Sequence, residues 1–380
     1  MSKLPLAGVR ILSLAEQYPG PFATMLLADL GADVILVERP SGGDPSRRFP
    51  GLFASMNRNK RSVTLDLKSV QGHADFLALV DSADVVVEGY RPGVMARLKL
   101  GADVLRARKP SLIFVSISSF GQSGPSVGIA GHDLSIQGAA GMLKIPLGQE
   151  ANATLPVLPL ADISSAMFAA LGIVTALFDR ARTGMGTAID VSMLDSLISW
   201  MTPFLVPPMN DLPTRSLPPE DPGYGVFATA DDRQITLSIA GEDHMWSTLC
   251  AVLDLPALAA LNEQQRSDQR SDITPLLRSA ILRWPCDALC SRLESERIAF
   301  GPVLQLHEVL ADPQMVARGM TVELHSDRCN SHLSLPSAPC IFVRQPLLMD
   351  GMQPEPMLPV PALGQHNVAI LGHPHGADIA

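Results

Sequence analysis

Residues 9–38 read VRILSLAEQYPGPFATMLLADLGADVILVE, and the pattern of this stretch decides the fold. Residues 9–14 (VRILSL) form a short apolar run of the kind that makes a strand buried on both faces. Gln17-Tyr-Pro-Gly-Pro then turns the chain into a helix predicted over 22–30, which Gly31 stops. Gly20 is turn chemistry here and is given no chemical role. Residues 33–38 (DVILVE) are the next strand, closed by Arg39-Pro40. Strand, helix and strand at this spacing make a βαβ unit, which joins neighbouring parallel strands.

The same alternation continues. Strands are predicted at 63–67, 84–88 and 112–118, with helices near 69–79, 94–98 and 102–108. The expected fold is therefore α/β: a doubly wound parallel sheet, Rossmann-like, in a large domain. No GxGxxG occurs, so the dinucleotide fingerprint is missing and an NAD cofactor is not expected.

Such sheets bind ligands beyond the carboxyl ends of their strands. Gln17 follows the first predicted strand there, Arg39 the second, Lys68 the third, and Arg91 with Arg97 the fourth. Singly, each cation reads as a solvated surface charge. Together they suit the phosphates of a nucleotide-like ligand, for which arginine offers a fork of donors.

Composition narrows the class. With 380 residues the chain can bury a sizeable core, and 47% hydrophobic against 18% charged residues fits a globular enzyme. A net charge of −9 without long like-charge blocks argues against a nucleic-acid partner. No uninterrupted apolar run is long enough to span a bilayer, and the N-terminus has no signal-peptide pattern, so no membrane and a cytoplasmic location are expected. The five cysteines (Cys250, Cys286, Cys290, Cys329, Cys340) lack zinc-type pairing, and the two histidines of the HPHGADIA tail lack ligand spacing. Reduced thiols and no metal site are expected.

Residues 158–200 read LPLADISSAMFAALGIVTALFDRARTGMGTAIDVSMLDSLISW and contain a candidate carboxylate, Asp162. Ile163, Met167, Ala170, Val174 and Leu177 recur at helical spacing, and small residues between them imply close packing against other backbone. Asp162 stands just before the first predicted turn of this helix. It reads either as an N-cap or as a carboxylate nucleophile kept ionised by the helix-start N–H groups. A second acid–base candidate, His132, lies in Gly131-His-Asp after a loop rich in glycine and serine.

Residues 206–223 (VPPMNDLPTRSLPPEDPG) read as a proline-dense linker with neither helix nor central strand. A hairpin is expected over 224–239, followed by helices at 244–253, 273–283 and 285–299. The expected domains are a large one at 1–210, a small α+β domain at 224–325, and a segment at 326–380, extended and Pro-rich over 336–363, that returns to the large domain. Glu242, in AGEDHMW, reads as a helix-start acid.

Several of these segments resemble one family. AxxxPGPxxxxxLADxGADVIxVERP, NRNKRSVTLDLK, VVEGYRPGVMxRLxLG and LxxADI…ALGIxxALxxRxxTGxGxxIDVSMLD are similar to family III CoA-transferases and the related alpha-methylacyl-CoA racemases. The resemblance covers nearly the whole chain. It implies a coenzyme A thioester as substrate, with Asp162 catalytic. Gln17, Arg39, Lys68, Arg91 and Arg97 would line the CoA site, Arg39 at the 3′-phosphate end and Arg91 with Arg97 at the pyrophosphate. It also implies an interlocked homodimer with an acyl-CoA and a small carboxylic acid as partners.

The branch is less marked. The GHD around His132 is similar to the histidine–aspartate pair of the racemases, where an acid near Glu242 can face the active site. Gln137 and NRNKRS are similar to the transferases. A glycine-rich loop that some transferases use to shield intermediates has no clear counterpart. Transfer of CoA between a thioester and a carboxylic acid through an aspartyl intermediate is the expected function. Two-base racemisation by His132 and Asp162 is the alternative.

Overall fold

Apolar strands need cover on both faces, and the chain supplies it with helices. In the computed structural model, residues 4–144, 156–213, 220–324, 340–350 and 358–373 are described. Most of the loop before residue 158, the middle of the 206–223 linker, Cys329, parts of the Pro-rich segment and nearly all of the tail lie outside them. The chain divides into two compact units, one of residues 1–205 with 316–380, the other of 206–315.

The first unit runs β1 (Arg10–Ser13), α1 (Pro19–Asp29), β2 (Asp33–Glu38), α2 (Pro50–Asn57), β3 (Lys60–Thr64), α3 (Val70–Ser82), β4 (Val85–Glu88), α4 (Val94–Arg97), α5 (Ala102–Arg108) and β5 (Ile113–Ser118). It continues through α6 (Asp133–Ala139), α7 (Leu160–Thr183), β6 (Ala188–Ser192) and α8 (Met193–Trp200), and α9 (Thr202–Met209) spans the boundary at residue 205. Six parallel strands form one sheet in the order β3-β2-β1-β4-β5-β6. The order reverses between β1 and β4, which makes that gap the topological switch point. On one face Ile11, Val85, Val115 and Ile117 pack beneath α1 and α7; on the other Leu12, Leu14, Ile35 and Val86 meet Phe76, Leu79 and Leu105 of α3 and α5.

Three sequence expectations are corrected. The third strand spans Lys60–Thr64, not 63–67, because the Lys60 side chain is buried yet satisfied: its Nζ donates to Pro21 O (2.8 Å) and Asn57 Oδ1 (2.9 Å). The face of α7 that enters the core is its small-residue stripe, Ala166, Ala169, Ala170, Ile173 and Ala176, while Met167 and Val174 are exposed. This helix of 24 residues has the length and composition of a membrane span, but half of it is buried in the unit. Finally, α9 is a helix despite Pro207 and Pro208, which fall in its last turn.

Next to β2 and β3, the residues of the NRNKRS motif act as fasteners. Arg58 forms a buried ion pair with Asp29 of α1 (2.6 Å), and Asn59 Nδ2 donates to the same carboxylate (2.8 Å). The outer edge of β3 is covered from far along the chain. Ser62 N donates to His366 Nδ1 (3.1 Å), His366 N to Ser62 O (2.9 Å), and Thr64 N to Asn367 Oδ1 (2.9 Å).

The second unit holds β7 (Tyr224–Ala228), β8 (Gln234–Ser238), α10 (Asp243–Val252), α11 (Glu263–Asp268), α12 (Arg270–Ile281), α13 (Cys286–Ser295), β9 (Phe300–Pro302) and α14 (Leu306–Val309). The expected hairpin is present as β7 and β8, and β9 adds a third antiparallel strand. Trp246, Leu249, Leu277 and Leu289 centre its core. Arg266 is buried there against Asp221 (2.8 Å) and Asp243 (2.6 Å), with its guanidinium 5.0 Å from the Trp246 ring centre. After α15 (Pro313–Ala317), β10 (Thr321–Leu324) pairs with β11 (Cys340–Val343), and α16 (Asn367–Leu371) ends the described chain. Cys250, Cys286 and Cys290 are free thiols.

Candidate active site

Asp162 is the third residue of α7, inside its first turn, which removes the N-cap alternative of the two sequence readings. Pro159 stands at the cap position, and its side chain has no hydrogen-bond acceptor to offer. The acceptor comes instead from Asp133, the first residue of α6. Its Oδ1 takes the N–H of Ala161 (2.8 Å) and of Asp162 (3.3 Å). Gln137, one turn further on and buried, donates its amide to Asp133 Oδ2 (2.7 Å) and to Leu158 O (3.1 Å). Ile136, Ala161, Met193 and Leu197 pack the starts of α6, α7 and α8 together beneath this point.

The result is a carboxylate pair in which one member is saturated with donors and the other is not. Burial, followed by the neighbouring charge of Asp133, pushes Asp162 up to about 7. The expectation that the helix start holds it ionised is therefore corrected. The helix-start field is worth about 0.3–1 kcal/mol, and it is outweighed by desolvation. The Tyr18 phenol is raised too, first by burial and then by the charges of Asp162 and Asp133.

Asp162 opens into a cavity of 650 Å³ at the switch point of the sheet. Glu16 and Gln17 enter it from the end of β1, Tyr90 and Arg91 from the end of β4, and Ser118 from β5. Val127, Ile129, Leu134 and Met193 make part of its wall apolar, and His132 lies on its rim, exposed. The loop that carries His132 is pinned by Ser119 Oγ, which donates to Gly131 O (2.9 Å).

The five residues expected to line one phosphate site are distributed. Gln17 and Arg91 belong to the Asp162 cavity. Lys68 and Arg97 line a separate open cavity of 430 Å³ with His73 and Lys99. Arg39 lines neither cavity; its Nε donates to Gly43 O (2.8 Å). Glu242 is in the second unit, at the start of α10, where its Oε2 accepts the N–H of Ala240 (2.7 Å). Sequence reading gave no structural task to Asp133. The D-x-x-x-Q spacing to Gln137, one helical turn, was the available signal. Among the described residues no cluster of His, Cys, Asp and Glu has metal-binding geometry.

An acid near its titration point over the switch point of a doubly wound sheet, with a patch of cations in the same unit, is the equipment of an α/β enzyme for a phosphate-bearing substrate. Comparison with known proteins narrows that class. The chain belongs to CoA-transferase family III, which it matches over residues 6–367. It is 32% identical to the succinate–glutarate CoA-transferase of Agrobacterium fabrum, over 97% of this chain and 95% of that one. It is 33% identical to the succinyl-CoA:mesaconate CoA-transferase of Haloarcula hispanica, over 96% and 95%. A CAIB/BAIF family protein of Brucella suis has the same fold, with a TM-score of 0.85 at 28% identity over 98% and 99% of the two chains.

Proposed function

We propose that this protein moves CoA between an acyl-CoA thioester and a small carboxylic acid, with Asp162 as the covalent carrier. The observation that carries the reading is the position of Asp162: in the first turn of α7, half-sheltered, and open to the 650 Å³ cavity at the switch point. Its ionised carboxylate attacks the donor thioester carbonyl and expels CoA thiolate, giving an acyl-aspartyl anhydride. The thiolate attacks the aspartyl carbonyl and releases the donor acid, leaving an aspartyl-CoA thioester. The acceptor carboxylate then attacks that thioester, freeing the thiolate again and forming a second anhydride. Attack of the thiolate on the acceptor's carbonyl releases the new acyl-CoA and regenerates Asp162. No net proton is taken up. Splitting one exchange into four acyl substitutions is the gain of covalent catalysis.

A carboxylate that titrates near 7 suits both halves of the cycle. It is basic enough to attack and is available ionised at neutral pH. Gln17 and Arg91 are assigned to the thioester end, and Lys68 and Arg97 to the CoA phosphates. The relatives named above act between succinyl and other carboxylic acids, so small dicarboxylic acids are the substrates to try first. A homodimer is part of the proposal. Met167 (46% exposed), Leu171 (60%), Val174 (40%) and Phe178 (68%) form an apolar stripe on the outer side of α7, which a second copy would cover.

The test is to incubate the enzyme with succinyl-CoA in deuterated water, with and without glutarate, and follow masses. Transfer gives glutaryl-CoA only with acceptor, no deuterium at the α-carbon, and a hydroxylamine-trappable adduct at Asp162. Deuterium uptake by a 2-methylacyl-CoA without acceptor, abolished in His132→Ala, would establish the two-base racemase instead.

A further inference from the structure

Gln17 has a backbone that a glutamine seldom adopts. Its φ is +68°, in the left-handed region that favours glycine. Nothing in the Gln side chain stabilises that conformation, yet it is the one that delivers Gln17 to the Asp162 cavity. Its backbone N–H is held by a single carboxylate. Both oxygens of Asp44 accept it, at 3.2 and 3.1 Å.

Asp44 is itself buried and fixed from three sides. Its Oδ1 accepts Ser46 N and Ser46 Oγ, both at 2.7 Å, and its own N–H donates to Glu38 Oε1 (3.0 Å). Glu38 in turn holds Arg47 through Nε (2.7 Å) and NH2 (2.7 Å) and accepts Ser62 Oγ (2.6 Å). The turn that brings Asp44 back to the sheet uses Gly42 and Gly43, at φ +79° and +62°. A Cβ on Gly43 would meet Glu38 Oε1 at 2.6 Å, so glycine is required there on two counts.

We propose that Asp44 is a positioning residue for the acyl-CoA site: it holds Gln17 in the left-handed conformation needed to present its amide to the bound thioester. The inference rests on the reading of Gln17 as part of the CoA site. Without the Asp44 carboxylate, Gln17 relaxes toward negative φ and only a fraction of molecules carry a formed site. Apparent affinity falls by that fraction, so a tenfold loss means that about one molecule in ten is competent.

The experiment titrates a non-hydrolysable succinyl-CoA analogue, with the thioester sulfur replaced by a methylene and the acyl carbonyl kept, calorimetrically into the wild type, Gln17→Ala, Asp44→Ser and the double variant. Serine is as good a cap as aspartate for the turn at Ser46, so Asp44→Ser keeps that contact and removes the charged acceptor. Where it does not melt cooperatively, the isosteric Asp44→Asn carries the same cycle. Expected are losses of about tenfold in affinity for the analogue for each single variant, with the double variant within about twofold of Gln17→Ala. Independent, multiplying losses, or wild-type affinity in Asp44→Ser, would overturn the positioning role. Wild-type affinity in Gln17→Ala would overturn it too. Failure of the wild type to bind the analogue would instead remove the site reading itself.

Discussion

Replacing Asp162 by Asn separates what this residue does for the fold from what it does for chemistry. The folded carboxyl titrates at about 7 against an ordinary value of 3.8. Below pH 4 it is protonated in the native state, and no charge is buried. Between pH 4 and 7 the unfolded chain ionises while the folded one does not, so this residue's contribution to stability falls as pH rises. Above 7 the native state carries the charge at full penalty. At about 1.4 kcal/mol for each pH unit of the gap, the penalty is at most about 4 kcal/mol, and solvent access reduces it to about 2. Asparagine has the same shape and never ionises. Asp162→Asn is therefore expected to abolish transfer and yet to melt about 2–3 °C higher than the wild type at pH 8. The two should melt within a degree or so of each other near pH 4. Calorimetric scans at the two pH values, beside activity, are the assay. A variant that melts lower at pH 8, or one whose offset is the same at both pH values, would refute the buried-charge argument. Retained turnover would refute the nucleophile.

Other expectations follow from the same geometry. Asp133→Asn keeps an acceptor for the start of α7 but removes the charge beside Asp162, so the acidic limb of the kcat/KM–pH profile should move below 7 without reaching 3.8, since burial remains. His366 has its pKa lowered from 6.5, first by burial and then by Arg61, so the unfolded chain takes up the proton first. Stability present above pH 6.5 is lost as pH falls through that value, and His366→Gln should flatten the slope, read as the difference from the wild type in urea midpoints. In the second unit, Arg266→Ala leaves Asp221 buried without its partner and should cost about 3–5 kcal/mol, read by denaturation followed through Trp246 fluorescence. Arg97→Ala should raise KM for an acyl-CoA with little change in kcat, because a phosphate contact is felt equally in ground and transition states.

The sheet was legible because β1, β2, β4 and β5 are buried on both faces and so read as unbroken apolar runs. The third strand misled because Lys60 is a buried cation whose two acceptors, Pro21 O and Asn57 Oδ1, belong to other elements. The α7 periodicity was visible, but hydropathy favours Met167 over Ala166 for the inward face, and close packing against α1 reverses that order. Asp162 was found by its surroundings in sequence. Its partner Asp133 acts across 28 residues, and nothing in the local pattern reveals which helix a carboxylate will cap. The NRNKRS motif was read as a family mark, and its ties to α1 became visible only in three dimensions.

The covering of β3 by His366 and Asn367 carries a consequence for synthesis. The donors at Ser62 and Thr64 leave the ribosome some 300 residues before their acceptors do. At about 5–20 residues per second, that strand stays bare for about 15–60 s. For that interval the nascent chain presents an unpaired edge to every other chain nearby. Truncations that stop short of residue 367 would make the interval permanent, and their yield should depend on chaperones far more than that of the full-length protein.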